Sequence, residues 1–386
     1  MSGDRQRPVG RSRPTGWLWG LIGAVVVAGV CGGLIGAAVA SPSSSGSTTS
    51  ASAASCDVTP VADKVLPSVV TISVTPAPGS GASGARGGST ASTASTASTA
   101  STGSGEVYKS DGYILTNNHV IAPAVSGGTI DVQFDDGKTV PASIVGRDEL
   151  TDLAVLKADL PSGVPPIAIG SSASLQVGDP VIALGAPLGL SGTVTSGIVS
   201  ALDRTVEVPA EGDKSALLVA AVQTDAAINP GNSGGALVNC DDQLVGIPSA
   251  GAAVPTSAGE SSGGSIGLGF AIPVDSAVTV ADEIIATGHA THSYFGLKTV
   301  PVPADAAKEA GVSGGLFVGG VVAGSPAEQA GLRQGDIITS VDGKQATSNI
   351  ELQEVTLTKS PGDTVEIGYV RNGMTEKTTV TLGAQP

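Results

Sequence analysis

Between residues 111 and 273 the apolar residues come in short bursts and never in a long stretch. IDVQF (130–134), ASIVG (142–146), LAVLK (153–157), PVIALG (180–185), SGIVSAL (196–202), LLVAAVQT (217–224), GALVN (235–239), LVGI (244–247) and GFAIP (269–273) are separated by turn-forming residues. That spacing predicts an all-β barrel or sandwich. The 55 glycines and 24 prolines suit a chain with many turns. Hydrophobic residues make up 41% of the chain but aromatics only 3%, so the core has to be aliphatic. The net charge of −15 argues against a nucleic-acid partner, which needs a basic surface.

The 386 residues leave room for two domains. Residues 1–16 form a basic tail with Arg5, Arg7, Arg11 and Arg13, and residues 17–40 carry no charge. As a helix at about 1.5 Å per residue, that run would cross a bilayer. It is expected to be a single-pass anchor in the cell membrane, with the N-terminus cytoplasmic and everything after residue 40 outside. The alternative is a cleaved signal peptide, because AVA precedes Ser41, but the run exceeds the usual apolar core of about 7–15 residues. Residues 41–55 read as a disordered tether. Residues 76–105, with the period-three repeat STASTASTASTASTG, read as a disordered low-complexity loop between the strands SVVTISV (68–74) and DGYILTNNHVI (111–121). A helix is expected after residue 273, capped by Asp275 or Ser276, with Val278, Ala281 and Ile285 as its stripe and Gly288 as its stop. A second unit covers 294–384, with four strands and helical stretches near 325–331 and 348–358.

PGNSGG (230–235) sets one hydroxyl, Ser233, among three glycines and a proline. A tight turn alone would explain the glycines. A nucleophilic serine would also need a base, and the base an acid to hold its tautomer. The chain has only three histidines, His119, His289 and His292. One constellation takes His119 as base and an intervening aspartate as its partner, in the order of the chymotrypsin-like double barrels. Asp131, Asp135, Asp136, Asp148 and Asp152 are candidates; Asp152 is best placed because it directly precedes the strand-like LAVL, while Asp148 lies in a more polar, solvated stretch. The other constellation reads GNSGG as the elbow of an α/β-hydrolase-type esterase, with Asp275 and then His289 or His292. Its context is poor, since a proline precedes the serine and a hairpin follows it. In the first constellation the N–H groups of Gly231, Asn232 and Ser233 form the candidate oxyanion hole. No metal or cofactor is called for.

DGYILTNNHVI, TDLAVLK, QTDAAINPGNSGGALVN and GLGFAIP, in that order, resemble the trypsin-like domain of the HtrA/DegP (protease Do) family, and YFGL, GSPAEQAGLRQGDIITSVDGK and SPGDTVEIGYVRNG resemble its PDZ domain. The likeness covers about residues 57–384. It implies a mainly β chain: a chymotrypsin-like double β-barrel protease domain at 57–287, then a PDZ domain, a β-sandwich with two helices, at 294–384. It implies a triad of His119, Asp152 and Ser233, an oxyanion hole at Gly231–Ser233, a specificity pocket lined by Ala227 and Ile228 that suits small aliphatic residues, and a peptide-carboxylate loop at Tyr294, Phe295, Gly296 and Leu297. The activity implied is ATP-independent cleavage of unfolded or damaged exported polypeptides in protein quality control and stress response, with C-terminal peptides bound at the PDZ unit. A homotrimer is implied as well, although VADKVLPSVVTISV lacks the aromatics that relatives use at that contact. A silent, membrane-tethered PDZ scaffold is the non-enzyme alternative. Cys31 lies in the apolar run; Cys56 and Cys240 lie outside it and either bridge or stay as separate thiols.

Overall fold

The computed structural model describes residues 56–77, 101–186, 192–209, 215–251 and 264–386. The expected anchor at 17–40, the tether at 41–55 and positions 78–100 of the repeat loop lie outside them. Among the described residues no helix is long and apolar enough to cross a membrane.

Helix α1 (Val58–Val65) starts at Asp57, whose carboxylate accepts the Thr59 N–H, and buries Val61, Ala62 and Val65. Six strands follow: β1 (Val69–Thr75), β2 (Ser101–Val107), β3 (Tyr113–Asn117), β4 (Thr129–Gln133), β5 (Thr139–Asp148) and β6 (Leu153–Ala158), with the short helix α2 (Asn118–Ile121) after β3. They close into a barrel in the order β1-β2-β3-β6-β5-β4, because β4 pairs back onto β1. Alternate residues such as Val70, Ile72, Val74, Ile114 and Leu156 fill the interior, as the two-residue period of a strand requires.

Strand β2 corrects the reading of 76–105 as loop throughout. Ser101 to Glu106 pair with Val74 to Val69 of β1. Composition misses this because the ladder is made by backbone groups, and the apolar area belongs to the neighbours. The interior space over Gly103 is taken by Val120, and that over Gly105 by Ile72 and Ile114.

The second barrel comprises β7 (Ala168–Ile169), β8 (Pro180–Gly185), β9 (Thr193–Pro209), β10 (Ser215–Thr224), β11 (Ala236–Val238), β12 (Gln243–Gly251) and β13 (Gly269–Pro273). The order β11-β8-β9-β10-β13-β12 closes where β11 meets β12, and β7 adds to β12 in parallel. Helix α3 (Val274–Thr287) then buries Val274, Ala277, Ala281 and Ile284; of the three expected residues Ala281 is fully buried, and Val278 and Ile285 pack partly buried against the same core. Gly288 ends it in the left-handed region, but Asp275 does not cap it. Pro273 holds the cap position, and the Asp275 carboxylate instead accepts from the Ser171 and Ser172 hydroxyls and the Ala173 N–H. Cys56 and Cys240 are joined as a disulfide, which ties the start of α1 to the turn between β11 and β12.

The last unit has β14 (Ser293–Tyr294), β15 (Leu297–Pro301), β16 (Leu316–Val321), β17 (Ile337–Val341), β18 (Lys344–Gln345), β19 (Thr364–Arg371), β20 (Met374–Thr381) and β21 (Gly383–Ala384). Its sheet runs β15-β16-β17-β19-β20, so β15 is an edge. It has three helices where two were expected: α4 (Ala304–Glu309), α5 (Pro326–Gln329) and α6 (Ile350–Thr358). The extra one, α4, buries only Ala307, too little apolar surface to leave a periodic signal.

Glu106 occupies an unusual position. Gly105 and Val107 face the first barrel's interior, so Glu106 faces outward, beside its partner Leu115, which packs with Ile247 and Ile272 of the second barrel. Glu106 is fully buried, and neither carboxylate oxygen has a partner among the described residues. Burial pushes its carboxyl well above the ordinary range. Between the ordinary and the raised value the unfolded chain binds fewer protons than the folded one, so stability falls as pH rises through that window. Glu106→Val is therefore expected to stabilise by about 1–3 kcal/mol at pH 5, where the lone buried carboxyl is neutral in the fold, and by more at pH 8. Denaturant unfolding at the two pH values checks this; an equal gain at both would show that Glu106 is not the group that titrates.

Candidate active site

Two strand ends meet at the mouth of the first barrel. β3 runs out at Asn117 and α2 begins at once, so that His119 stands half-exposed on its first turn. Asp152 directly precedes β6 with φ +60°, a left-handed conformation that aspartate tolerates better than most residues. Its backbone is strapped in place, since its carbonyl accepts the Asn118 N–H at 3.1 Å and the Asn117 side-chain N–H at 2.9 Å.

The Asp152 side chain is buried and fully engaged. His119 Nδ1 lies 2.8 Å from Oδ2 and 3.0 Å from Oδ1, and the His119 backbone N–H donates to Oδ1 at 3.0 Å. The Ser249 hydroxyl donates to Oδ2 at 2.5 Å. A carboxylate accepts only, so His119 Nδ1 is the donor to it, which in the neutral ring leaves the lone pair on Nε2.

The second barrel contributes Ser233, on the loop between β10 and β11. Its hydroxyl donates to the Ser249 carbonyl at 3.3 Å. Ser249 thus touches both other groups, Asp152 through its hydroxyl and Ser233 through its carbonyl. Nothing in IPSAG announces that role, because it depends on how β12 lies against the first barrel.

Around Ser233 the loop is sharply folded. Gly231 has φ +102° and Gly234 φ +79°, both left-handed. A side chain at Gly234 would collide with Thr116 Oγ1 and the Ser104 carbonyl. Gly234 N–H donates to Pro248 O at 2.8 Å, and Gly235 N–H to Asn232 O at 3.0 Å. Asn232 N–H is also spent, on Asn229 O at 3.0 Å, which removes it from the oxyanion candidates. The N–H groups of Gly231 and Ser233 have no acceptor among the described residues.

Asp148, expected to be solvated, is buried and lies 2.9 Å from His292 Nε2, while also accepting the Leu150 N–H and the Thr151 hydroxyl. His292 is buried and His289 bonds Thr287 O, so neither histidine touches Ser233. Asp275 is held by Ser171 and Ser172. With no strand–serine–helix elbow, the esterase constellation does not form. Ile228 is buried in the second barrel's core with Val199, Val222 and Ala271, so its side chain does not line an open pocket; Ala227 stays half-buried. In the last unit Phe295 is a core residue, Tyr294 and Leu297 are half-buried, and Gly296 has φ +80°. The Phe295 and Gly296 N–H groups donate to nothing among the described residues.

The double barrel, the serine in its glycine-rich loop, the carboxylate-held histidine and the appended sheet fit a trypsin-like serine peptidase with one PDZ domain. Matching family profiles agree, with a trypsin-like peptidase domain over residues 103–247 and a PDZ domain over 294–382. Serine protease PepD of Mycobacterium tuberculosis is 40% identical over 385 residues, covering 94% of this chain and 77% of the relative. The periplasmic pH-dependent serine endoprotease DegQ of Escherichia coli is 40% identical over 331 residues, covering 84% and 69%. Among solved structures, the HtrA-type protease AlgW with decapeptide superposes with a TM-score of 0.60 at 31% identity, covering 84% of this chain and 98% of that one. The serine endoprotease from Yersinia pestis does so with 0.57 at 33%, covering 85% and 98%. The chain belongs to the HtrA/DegP family of serine proteases.

Proposed function

We propose that this enzyme is an extracytoplasmic endopeptidase that cleaves unfolded or damaged exported polypeptides without ATP, through Ser233, His119 and Asp152. The observation that carries this reading is the unbroken set of contacts from His119 through Asp152 and Ser249 to Ser233. In this reading the Ser233 hydroxyl leaves the Ser249 carbonyl and donates to His119 Nε2. The oxygen then attacks the scissile carbonyl carbon while Nε2 takes the proton. The negative charge formed on the carbonyl oxygen is met by the free N–H groups of Gly231 and Ser233. Asp152 stabilises the imidazolium. Nε2 then gives its proton to the departing amine, and the acyl-enzyme is hydrolysed by a water that Nε2 deprotonates. A small side chain at Ala227 suits small or medium aliphatic residues at the cleavage position.

The uncharged run after Arg5, Arg7, Arg11 and Arg13, together with the disulfide, supports a location outside the cytoplasm, tethered by residues 17–40. A fluorophosphonate should label the wild-type chain, with the adduct mapped to Ser233 by peptide mass spectrometry. No label on folded protein would favour the silent-scaffold reading instead.

At the PDZ unit, the free Phe295 and Gly296 N–H groups beside the edge strand β15 suit a peptide's terminal carboxylate, with the tail added along β15. Leu297 and Leu352, the latter on α6, pack in the same cluster and supply an apolar wall for an aliphatic last residue. A peptide with such a C-terminus should bind the full-length Ser233→Ala protein at least about tenfold more tightly than its C-terminal amide, the worth of one charge-assisted set of hydrogen bonds. Equal affinity in calorimetry would rule out carboxylate capture.

A further inference from the structure

Gly231 is the weakest-held part of the site. Its N–H must face the substrate oxygen, yet glycine at φ +102° has no side chain to fix the peptides on either side of it. Among the described residues Gly231 makes one hydrogen bond: its carbonyl accepts the Ser104 hydroxyl at 2.6 Å. Ser104 is fully buried on β2, in the first barrel. Its hydroxyl has no freedom to reverse, because its oxygen also accepts the Ala186 N–H at 2.8 Å. The amide can only donate and the Gly231 carbonyl can only accept, so the direction of the hydroxyl proton is set.

The same residue grips the loop a second time. Ser104 N–H donates to the Ser233 carbonyl at 2.9 Å. The carbonyls of Gly231 and Ser233 are thus both tied to Ser104, and the N–H groups of these same two residues have no acceptor among the described residues. Ser104 is itself fixed, because its carbonyl accepts the Thr116 hydroxyl at 2.6 Å, on the strand that leads to His119.

We infer that Ser104 is a positioning residue for the oxyanion hole: it holds Gly231 in the conformation that aims its N–H at the reacting carbonyl, and it registers the Ser233 loop of the second barrel against the His119–Asp152 half of the first. The inference rests on the reading of Gly231 and Ser233 as the oxyanion donors. It concerns the transition state and not substrate binding, since Ser104 is buried behind the loop and touches no substrate.

The test uses the full chain, a fluorogenic peptide, and the matching peptide aldehyde, whose adduct with Ser233 places an oxyanion-like oxygen in the hole. Ser104→Ala is expected to lower kcat about 10- to 100-fold, somewhat less than the loss of an oxyanion donor itself, with KM within about twofold. Aldehyde affinity should fall by the same factor as kcat/KM, while affinity for the unreactive product peptide stays unchanged. A merely structural role would lower the thermal midpoint and the active fraction without that parallel. If Ser104→Ala does not fold, Ser104→Cys, which keeps a weak donor in place, should give the same pattern with a smaller factor. Wild-type kcat in the folded variant, or a kcat loss with unchanged aldehyde affinity, overturns the assignment. Failure of the underlying reading looks different: the aldehyde would then bind wild type no better than the product peptide does.

Discussion

Ser233→Ala is expected to abolish cleavage of an unfolded substrate such as reduced casein, by a factor on the order of 10⁶ in kcat for a triad that acts as a unit. His119 is held by Asp152 through Nδ1, and Ser233 carries the one hydroxyl of the loop between β10 and β11. Without that oxygen there is no acyl-enzyme, and the remaining N–H donors and base can only assist direct attack by water. The fold should survive, because the hydroxyl makes a single long hydrogen bond to Ser249 O, worth at most about 1 kcal/mol. Undiminished turnover by the purified variant, with an unchanged circular dichroism spectrum, would remove Ser233 from the mechanism.

The second large effect concerns the Cys56–Cys240 bond, which spans a sequence separation of 184 residues. In the chain-entropy account, a cross-link over a loop of that length stabilises by about 5 kcal/mol, through the freedom it denies the unfolded chain. Two further ties act at the same place. Val61, Ala62 and Val65 of α1 pack with Ile182, Leu184 and Leu244 of the second barrel, and Lys64 pairs with Asp242 at 2.6 Å. The ion pair is exposed on the lysine side and adds little. The double variant Cys56→Ser/Cys240→Ser should therefore unfold at clearly lower denaturant concentration, and α1 should exchange its amides faster than either barrel. A loss below about 1 kcal/mol would mean that apolar packing of α1, and not the cross-link, holds the start of the domain.

Local pattern and global arrangement divided the work of specifying this protein. The short strands of both barrels were legible because burial on one face leaves a two-residue period, and each run carries its own apolar area. The candidate peptidase residues could be named for another reason: with only three histidines in the chain and a serine set in PGNSGG, chemistry narrows the choice before geometry enters. Asp152 could be preferred over Asp148 because a strand anchors it directly.

Tertiary structure decided what depends on contacts far apart in sequence. Asp148 looked solvated, yet His292 comes back 144 residues later to bury it. Ser249 reaches Asp152 across 97 residues, and Ser104 reaches Gly231 across 127. The start of β2 was hidden in a repeat of Ser, Thr, Ala and Gly because its partners provide most of the apolar surface over Gly103 and Gly105. Glu106, unremarked in the sequence, is a buried carboxyl in the folded chain. By itself the sequence determined which groups could do the chemistry, since residue types and local period suffice for that. Only the closing and docking of the two barrels decided which groups hold the reacting ones in place, because hydrogen bonds and burial across such separations exist only once every strand has found its register.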